Sequence, residues 1–206
     1  MDAYCLAHST PEPELLRALS RETHLRALHP RMLSQWRQGL LLQLLATLAA
    51  PDDILEVGTF TGYSALCLAA ALPPRGALHT YDVDDEALEI ARAFIGQSPQ
   101  AAQVKVHHQN ALEGAPLLGK TFGLVFIDGD KREYPDYYRM ALSLTPSGGL
   151  IIADNVLWSG KILTAPRSGD KHTLALQKFN EMVRSDTGVE KIMLPLRDGL
   201  TVIRKK

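Results

Sequence analysis

Ile54-Leu55-Glu56-Val57-Gly58-Thr59-Phe60-Thr61-Gly62-Tyr63-Ser64 is the stretch on which the fold turns. The apolar run Ile54 to Val57 reads as a strand, and it passes into a glycine-rich turn that opens a helix over Tyr63 to Leu72. Backbone N–H groups at such a turn can receive an anionic or polar ligand. A dinucleotide fingerprint would read Gly-x-Gly-x-x-Gly, and Phe60 stands where its second glycine must let a pyrophosphate approach the backbone. NAD and FAD are therefore disfavoured. A nucleoside triphosphate on a P-loop is not expected either, on the reading that the chain offers no Gly-x-x-x-x-Gly-Lys-[Ser/Thr]. A ligand with a ribose but no phosphates fits better, with Asp82, twenty residues after Gly62, accepting from ribose hydroxyls.

Outward from the turn, short apolar runs alternate with helical patterns. Ala77 to Tyr81, Val104 to His107, Leu124 to Ile127 and Leu150 to Ala153 read as strands, while Asp85 to Ile95, Ala111 to Leu118 and Tyr134 to Leu144 read as helices. Repeated βα units imply a parallel sheet covered on both faces. Near the end, Val189 to Leu194 and Leu200 to Arg204 are separated only by Pro195-Leu196-Arg197-Asp198-Gly199, too short for a parallel crossover. Asp198-Gly199 is a hairpin signal, so the last of seven strands should run antiparallel. The first fifty residues look helical, from a start at Ser9-Thr10-Pro11-Glu12 through Leu15, Leu16 and Leu19, and again from Ser34 to Ala49. One domain spanning 1–206 is expected, with 1–50 as an N-terminal helical cap.

Composition limits the partners. With 206 residues, 46% hydrophobic and 22% charged, the chain has ordinary globular content, which excludes collagen-like or disordered readings. Lys plus Arg total 22 against 23 Asp plus Glu, so no basic excess exists to neutralise a nucleic acid. Cys5 and Cys67 make neither a disulfide framework nor a zinc pattern, which suits a reducing cytoplasm. Met1 to Ser9 does not read as a secretion signal, and Leu40 to Ala50 is too short to span a bilayer, so no membrane partner is expected.

Four predicted strands carry an acid at or just beyond their C-terminal ends: Glu56, Asp82, Asp128 and Asp154. In an open α/β sheet those ends form the ligand crevice. A single acid there can be a turn or a helix cap. Four together would repel one another unless something cationic or rich in hydroxyls binds among them.

Glu56 to Ser64 resembles the S-adenosylmethionine-binding turn of class I methyltransferases, in particular the cation-dependent O-methyltransferases that act on catechol and caffeoyl-coenzyme A. Phe126-Ile127-Asp128-Gly129-Asp130-Lys131, with Tyr134 and Tyr137, agrees, as does Ala153-Asp154-Asn155-Val156-Leu157-Trp158-Ser159-Gly160. The similarity runs from Arg31-Met32-Leu33-Ser34 to Asp198-Gly199-Leu200-Thr201, most of the chain. Asp-Gly-Asp-Lys replaces the family's usual Asp-Ala-Asp-Lys, which removes no functional side chain. The fold this implies is Rossmann-like: seven mostly parallel strands, helices on both faces, and extra N-terminal helices.

By this resemblance Asp128, Asp154 and Asn155 would bind one divalent metal, a hard oxygen set suited to Mg²⁺, Ca²⁺ or Mn²⁺. Asp128 and Lys131 would be the catalytic pair, with Lys131 as general base. Glu56, Gly58, Ser64, Asp82, Ala111, Asp130 and Tyr137 would surround S-adenosylmethionine, with Met32 and Ser34 approaching from the N-terminal region. Asp82 would hold the ribose, and Asp130 and Glu56 the amino-acid end. Tyr137 and Met32 are equally suited to core packing, and Trp158 to an acceptor wall, the core or an interface. The implied acceptor is a small phenol with vicinal hydroxyls, and the implied assembly a homodimer. Two alternatives share the donor turn: a methyltransferase with a non-catechol acceptor, and a non-catalytic S-adenosylmethionine-binding module.

Overall fold

The computed structural model describes residues 2–206. A seven-stranded sheet has the order β3-β2-β1-β4-β5-β7-β6, with β1 Asp53–Val57, β2 Ala77–Asp82, β3 Val104–His108, β4 Leu124–Ile127, β5 Leu150–Asp154, β6 Val189–Leu194 and β7 Leu200–Lys205. The first five strands pair in parallel, and β7 runs antiparallel to both β5 and β6. The expected parallel sheet with a reversed last strand is the one observed. Its order reverses beside β1, the switch point at which such sheets open a crevice.

Alternate residues along the central strands serve opposite faces, as the pleat requires. Ile54, Leu124 and Phe126 join one core with Leu19, Leu42, Leu68 and Ile90. Leu55, Val125 and Ile127 join the other with Tyr134, Tyr138 and Phe179. The helices on the first face are α2 Glu14–Arg26, α3 Trp36–Ala49, α4 Tyr63–Ala69 and α5 Asp85–Ile95. Those on the second are α6 Ala111–Gly114, α7 Tyr134–Leu144 and α8 Lys171–Ser185. No helix among the described residues is long and apolar enough to cross a membrane.

Several boundaries differ from the sequence expectation for physical reasons. The helix expected from Ser9 starts at Glu14, because Pro11 and Pro13 push the residues before them out of the helical region. A short α1, Asp2–Ala7, precedes it. The helix expected over Ala111 to Leu118 breaks into α6 and a 3₁₀ turn at Pro116–Leu118, since Pro116 has no N–H to bond back four residues. Helix α8 was not anticipated at all. Its signals are nevertheless present: Asp170 caps the Thr173 N–H at 3.1 Å, and Leu176, Phe179 and Val183 fall on one buried stripe.

The expectation that the chain has no P-loop motif is corrected by Gly114-Ala115-Pro116-Leu117-Leu118-Gly119-Lys120-Thr121, which has that spacing. The structure removes it as a phosphate cradle. A strand, β4, follows the Gly-Lys-Thr where a P-loop needs a helix, and Lys120 Nζ is engaged by Asp53 Oδ2 at 2.5 Å, at the start of β1.

Candidate active site

The crevice at the C-terminal ends of the strands is a cleft of about 720 Å³. Met32, Ser34, Gly58, Ser64, Asp82, Ala111, Asp128, Asp130, Lys131, Tyr137, Asp154 and Asn155 all line it. Residues from segments far apart in the chain thus meet where the sequence reading gathers them. Glu56 is the exception: it is 0% exposed and lies outside the lining.

The turn after β1 explains its own sequence. Gly58 has φ +98°, and a Cβ there would stand 2.2 Å from the Asp128 carbonyl oxygen, so only glycine lets β1 and β4 end side by side. Phe60 also has positive φ, 46°, a costly conformation for a bulky residue. Its N–H donates to Asp82 Oδ2 at 2.6 Å. The other Asp82 oxygen accepts from the Val83 and Asp84 N–H groups at 2.8 and 3.0 Å. Asp82 therefore anchors the turn and its own strand end while lining the cleft, with one acceptor site left over on Oδ2.

Beneath the turn, Glu56 Oε2 accepts from the Thr80 hydroxyl at 2.5 Å, while Oε1 has no partner. Burial raises its carboxyl to about 8, only partly offset by the Thr80 bond. Arg132 engages both oxygens of Asp130 and holds its carboxyl below the usual range.

Asp128, just past β4, and Asp154, the last residue of β5, stand at the ends of adjacent parallel strands. Asp154 is 2% exposed, and burial followed by repulsion from Asp128 raises its carboxyl to about 6. Asn155 follows with φ 57°, a left-handed conformation asparagine tolerates well. Lys131 Nζ donates to Asp128 Oδ1 at 2.8 Å, to the Gly129 carbonyl at 3.1 Å and to the Tyr134 hydroxyl at 2.9 Å. Lys131 Nζ is thereby held among Asp128, Gly129 and Tyr134 at the mouth of the cleft.

Three residues that sequence reasoning did not place in the site help build it. Tyr134, fully buried, receives Lys131 and donates to the Asp154 carbonyl at 2.8 Å, tying β5 to the loop after β4. Gln38 Nε2 donates to Asp154 Oδ2 at 2.6 Å, and Arg197 Nη1 donates to Gln38 Oε1 at 2.9 Å. Tyr134 has a local signal, three residues after Lys131. Gln38 and Arg197 have none, being 159 residues apart. Elsewhere, Cys67 is buried and its thiol pushed up by desolvation, as a packing role requires. His107 pairs with His79 at 3.0 Å and stacks on Tyr81.

No group of three or more His, Cys, Asp or Glu among the described residues is disposed to hold a metal. Just beyond β4 and at the end of β5 the cleft carries two carboxylates and an amide, Asp128, Asp154 and Asn155. The chemistry of that set fits a hard divalent cation. Asp128 adds to the cost of ionising Asp154, which is nearly sealed from water.

A Rossmann-like sheet with a reversed last strand, an open glycine turn without a pyrophosphate fingerprint, and an acid-rimmed cleft are in keeping with the resemblance to class I methyltransferases. Comparison with known proteins agrees. A family model described as O-methyltransferase matches residues 6–206. A catechol O-methyltransferase of Niastella koreensis is 36% identical over 163 residues, covering 77% of this chain and 73% of its own. Caffeoyl-CoA O-methyltransferase 5 of Nicotiana tabacum is 30% identical over 210 residues, covering 94% and 85%. The crystal structure of TomG from Streptomyces achromogenes, an O-methyltransferase in complex with SAM, superposes with a TM-score of 0.91 at 31% identity, covering 100% and 95%. The chain belongs to the O-methyltransferase family.

Proposed function

We propose that the protein transfers a methyl group from S-adenosylmethionine to one hydroxyl of a small vicinal dihydroxy aromatic, with a divalent cation, Mg²⁺ in the first instance and Ca²⁺ or Mn²⁺ as alternatives, held by Asp128, Asp154 and Asn155. The observation that carries this reading is the pair of acids at the ends of β4 and β5, with Asn155 beside them on the cleft. The SAM complex of TomG supports the donor. The relatives named for catechol and caffeoyl-CoA support the acceptor class.

A bound divalent cation would supply positive charge that lowers a phenol from its usual pKa of about 10 and fixes its oxygen. The chain's own residues do the rest. Gly58 and Ser64 border the donor end of the cleft, and Asp82 presents acceptors to ribose hydroxyls. Lys131, held beside Asp128, Gly129 and Tyr134, would take the acceptor's proton as general base. Displacement at a sulfonium needs alignment and exclusion of water more than a covalent enzyme intermediate.

A reducing cytoplasm is the proposed compartment, in keeping with two free cysteines. A homodimer is the proposed assembly, supported by Leu44 and Leu48, which α3 leaves 52% and 83% exposed. The reading is tested by incubating the protein with S-adenosylmethionine, Mg²⁺ and catechol. Formation of the monomethyl ether is expected. Donor binding without methylation of any vicinal diphenol in a panel would overturn the acceptor class.

A further inference from the structure

Resting on the metal-dependent reading above, we infer that Gln38 and Arg197 are positioning residues that aim the Asp154 carboxylate at the cation. Asp154 Oδ1 accepts from the Asn155 N–H at 2.8 Å, and Oδ2 accepts from Gln38 Nε2 at 2.6 Å. Both oxygens are thereby oriented by groups that carry no charge.

The amide is the side chain suited to this place. A carboxylate only accepts hydrogen bonds and a guanidinium only donates them, so a bridge between the two must do both. Gln38, 1% exposed in the first turn of α3, donates to Asp154 and accepts from Arg197 Nη1. Arg197 thus fixes which end of the amide faces Asp154. Flipping Gln38 would set NH₂ against guanidinium and oxygen against carboxylate.

Arg197 is itself held for the purpose. It sits in the β6–β7 loop at φ 50°, where arginine gains nothing from its own backbone, and its second nitrogen donates to the Leu33 carbonyl at 3.3 Å. An arginine placed directly on Asp154 would pair with it and compete with a cation. Set one amide away, the guanidinium orients the carboxylate and leaves its charge available, the usual task of groups outside a metal's own ligands.

The experiment measures Mn²⁺ affinity of the full chain by electron paramagnetic resonance of the free ion, without donor or acceptor. S-adenosylmethionine affinity and folding by circular dichroism are followed in parallel. Gln38→Leu and Gln38→Glu are expected to weaken Mn²⁺ binding about 10- to 100-fold, with donor affinity within about twofold of the parent. Arg197→Ala should weaken it by a smaller factor, and Arg197→Lys should restore most of the loss. Unchanged Mn²⁺ affinity in folded Gln38→Leu would overturn the inference while leaving the metal reading intact. If that variant does not fold, unchanged affinity in Arg197→Ala, whose side chain lies at the cleft wall, overturns it instead. A parent protein that binds no Mn²⁺ overturns the metal reading and this inference together.

Discussion

Lys131 Nζ lies 2.8 Å from Asp128 Oδ1, and the same nitrogen also reaches the Tyr134 hydroxyl and the Gly129 carbonyl. The side chain read as the base therefore rests on the side chain read as a metal ligand. Lys131→Met should lower kcat by about 10²- to 10⁴-fold, the usual range for loss of a positioned acid or base. Donor affinity should hardly move, because Lys131 is replaced by a chain of similar length. Lys131→Arg should not rescue the rate, since a guanidinium does not give up its proton near neutral pH. Steady-state kinetics beside donor titration check this, and an arginine variant with near-parental kcat would exclude the proton-accepting role.

Asp82 connects two tasks. It is the proposed acceptor for a ribose hydroxyl, and its 2.6 Å bond to the Phe60 N–H anchors that residue's left-handed turn. Asp82→Ala should raise the S-adenosylmethionine Kd at least about tenfold, on the scale of losing a hydrogen bond to a charged group. Asp82→Asn should fall between, because its NH₂ must confront one of the backbone N–H groups that the carboxylate now receives. Calorimetric titration of the donor measures both, and parental affinity in the alanine variant would remove Asp82 from the donor site.

Glu56 makes stability depend on pH in a stated direction. Its carboxyl is raised from 4.5 to about 8 by burial, so between those values the folded chain keeps a proton that the unfolded chain has released. Its contribution to stability is present below about pH 4.5 and is lost as pH rises towards 8. The slope is on the order of 1.4 kcal/mol per pH unit across the window. Glu56→Gln abolishes that contribution. Urea unfolding should show the variant gaining on the parent from pH 5 to pH 8, and parallel pH profiles would show that Glu56 ionises freely in the fold.

Much of the architecture was readable because its signals are local. Ile54 to Val57 is apolar and β-prone, Gly58 and Gly62 punctuate it, and Asp198-Gly199 announces the reversal that makes β7 antiparallel. The acids at the strand ends were readable for the same reason, since a strand fixes where its last residue stands. What escaped has long-range causes. Gln38 looks like a polar break in a leucine-rich helix until Arg197 and Asp154 arrive on either side of it. Glu56 shares its strand's direction with the other rim acids, but falls one residue short of the end of β1, and the pleat buries it beside Thr80. The Gly-Lys-Thr at Gly119 shows the converse, a local pattern emptied of meaning by the strand that follows it.

A cation gripped by Asp128, Asp154 and Asn155 is proposed to activate the acceptor hydroxyl. The most direct test of this is methyl transfer from S-adenosylmethionine to catechol by protein dialysed against EDTA, before and after Mg²⁺ is restored. Transfer should fall to background without the metal and return when it is added, while donor binding persists throughout. Turnover by the stripped protein at the rate of the replenished one would contradict the account.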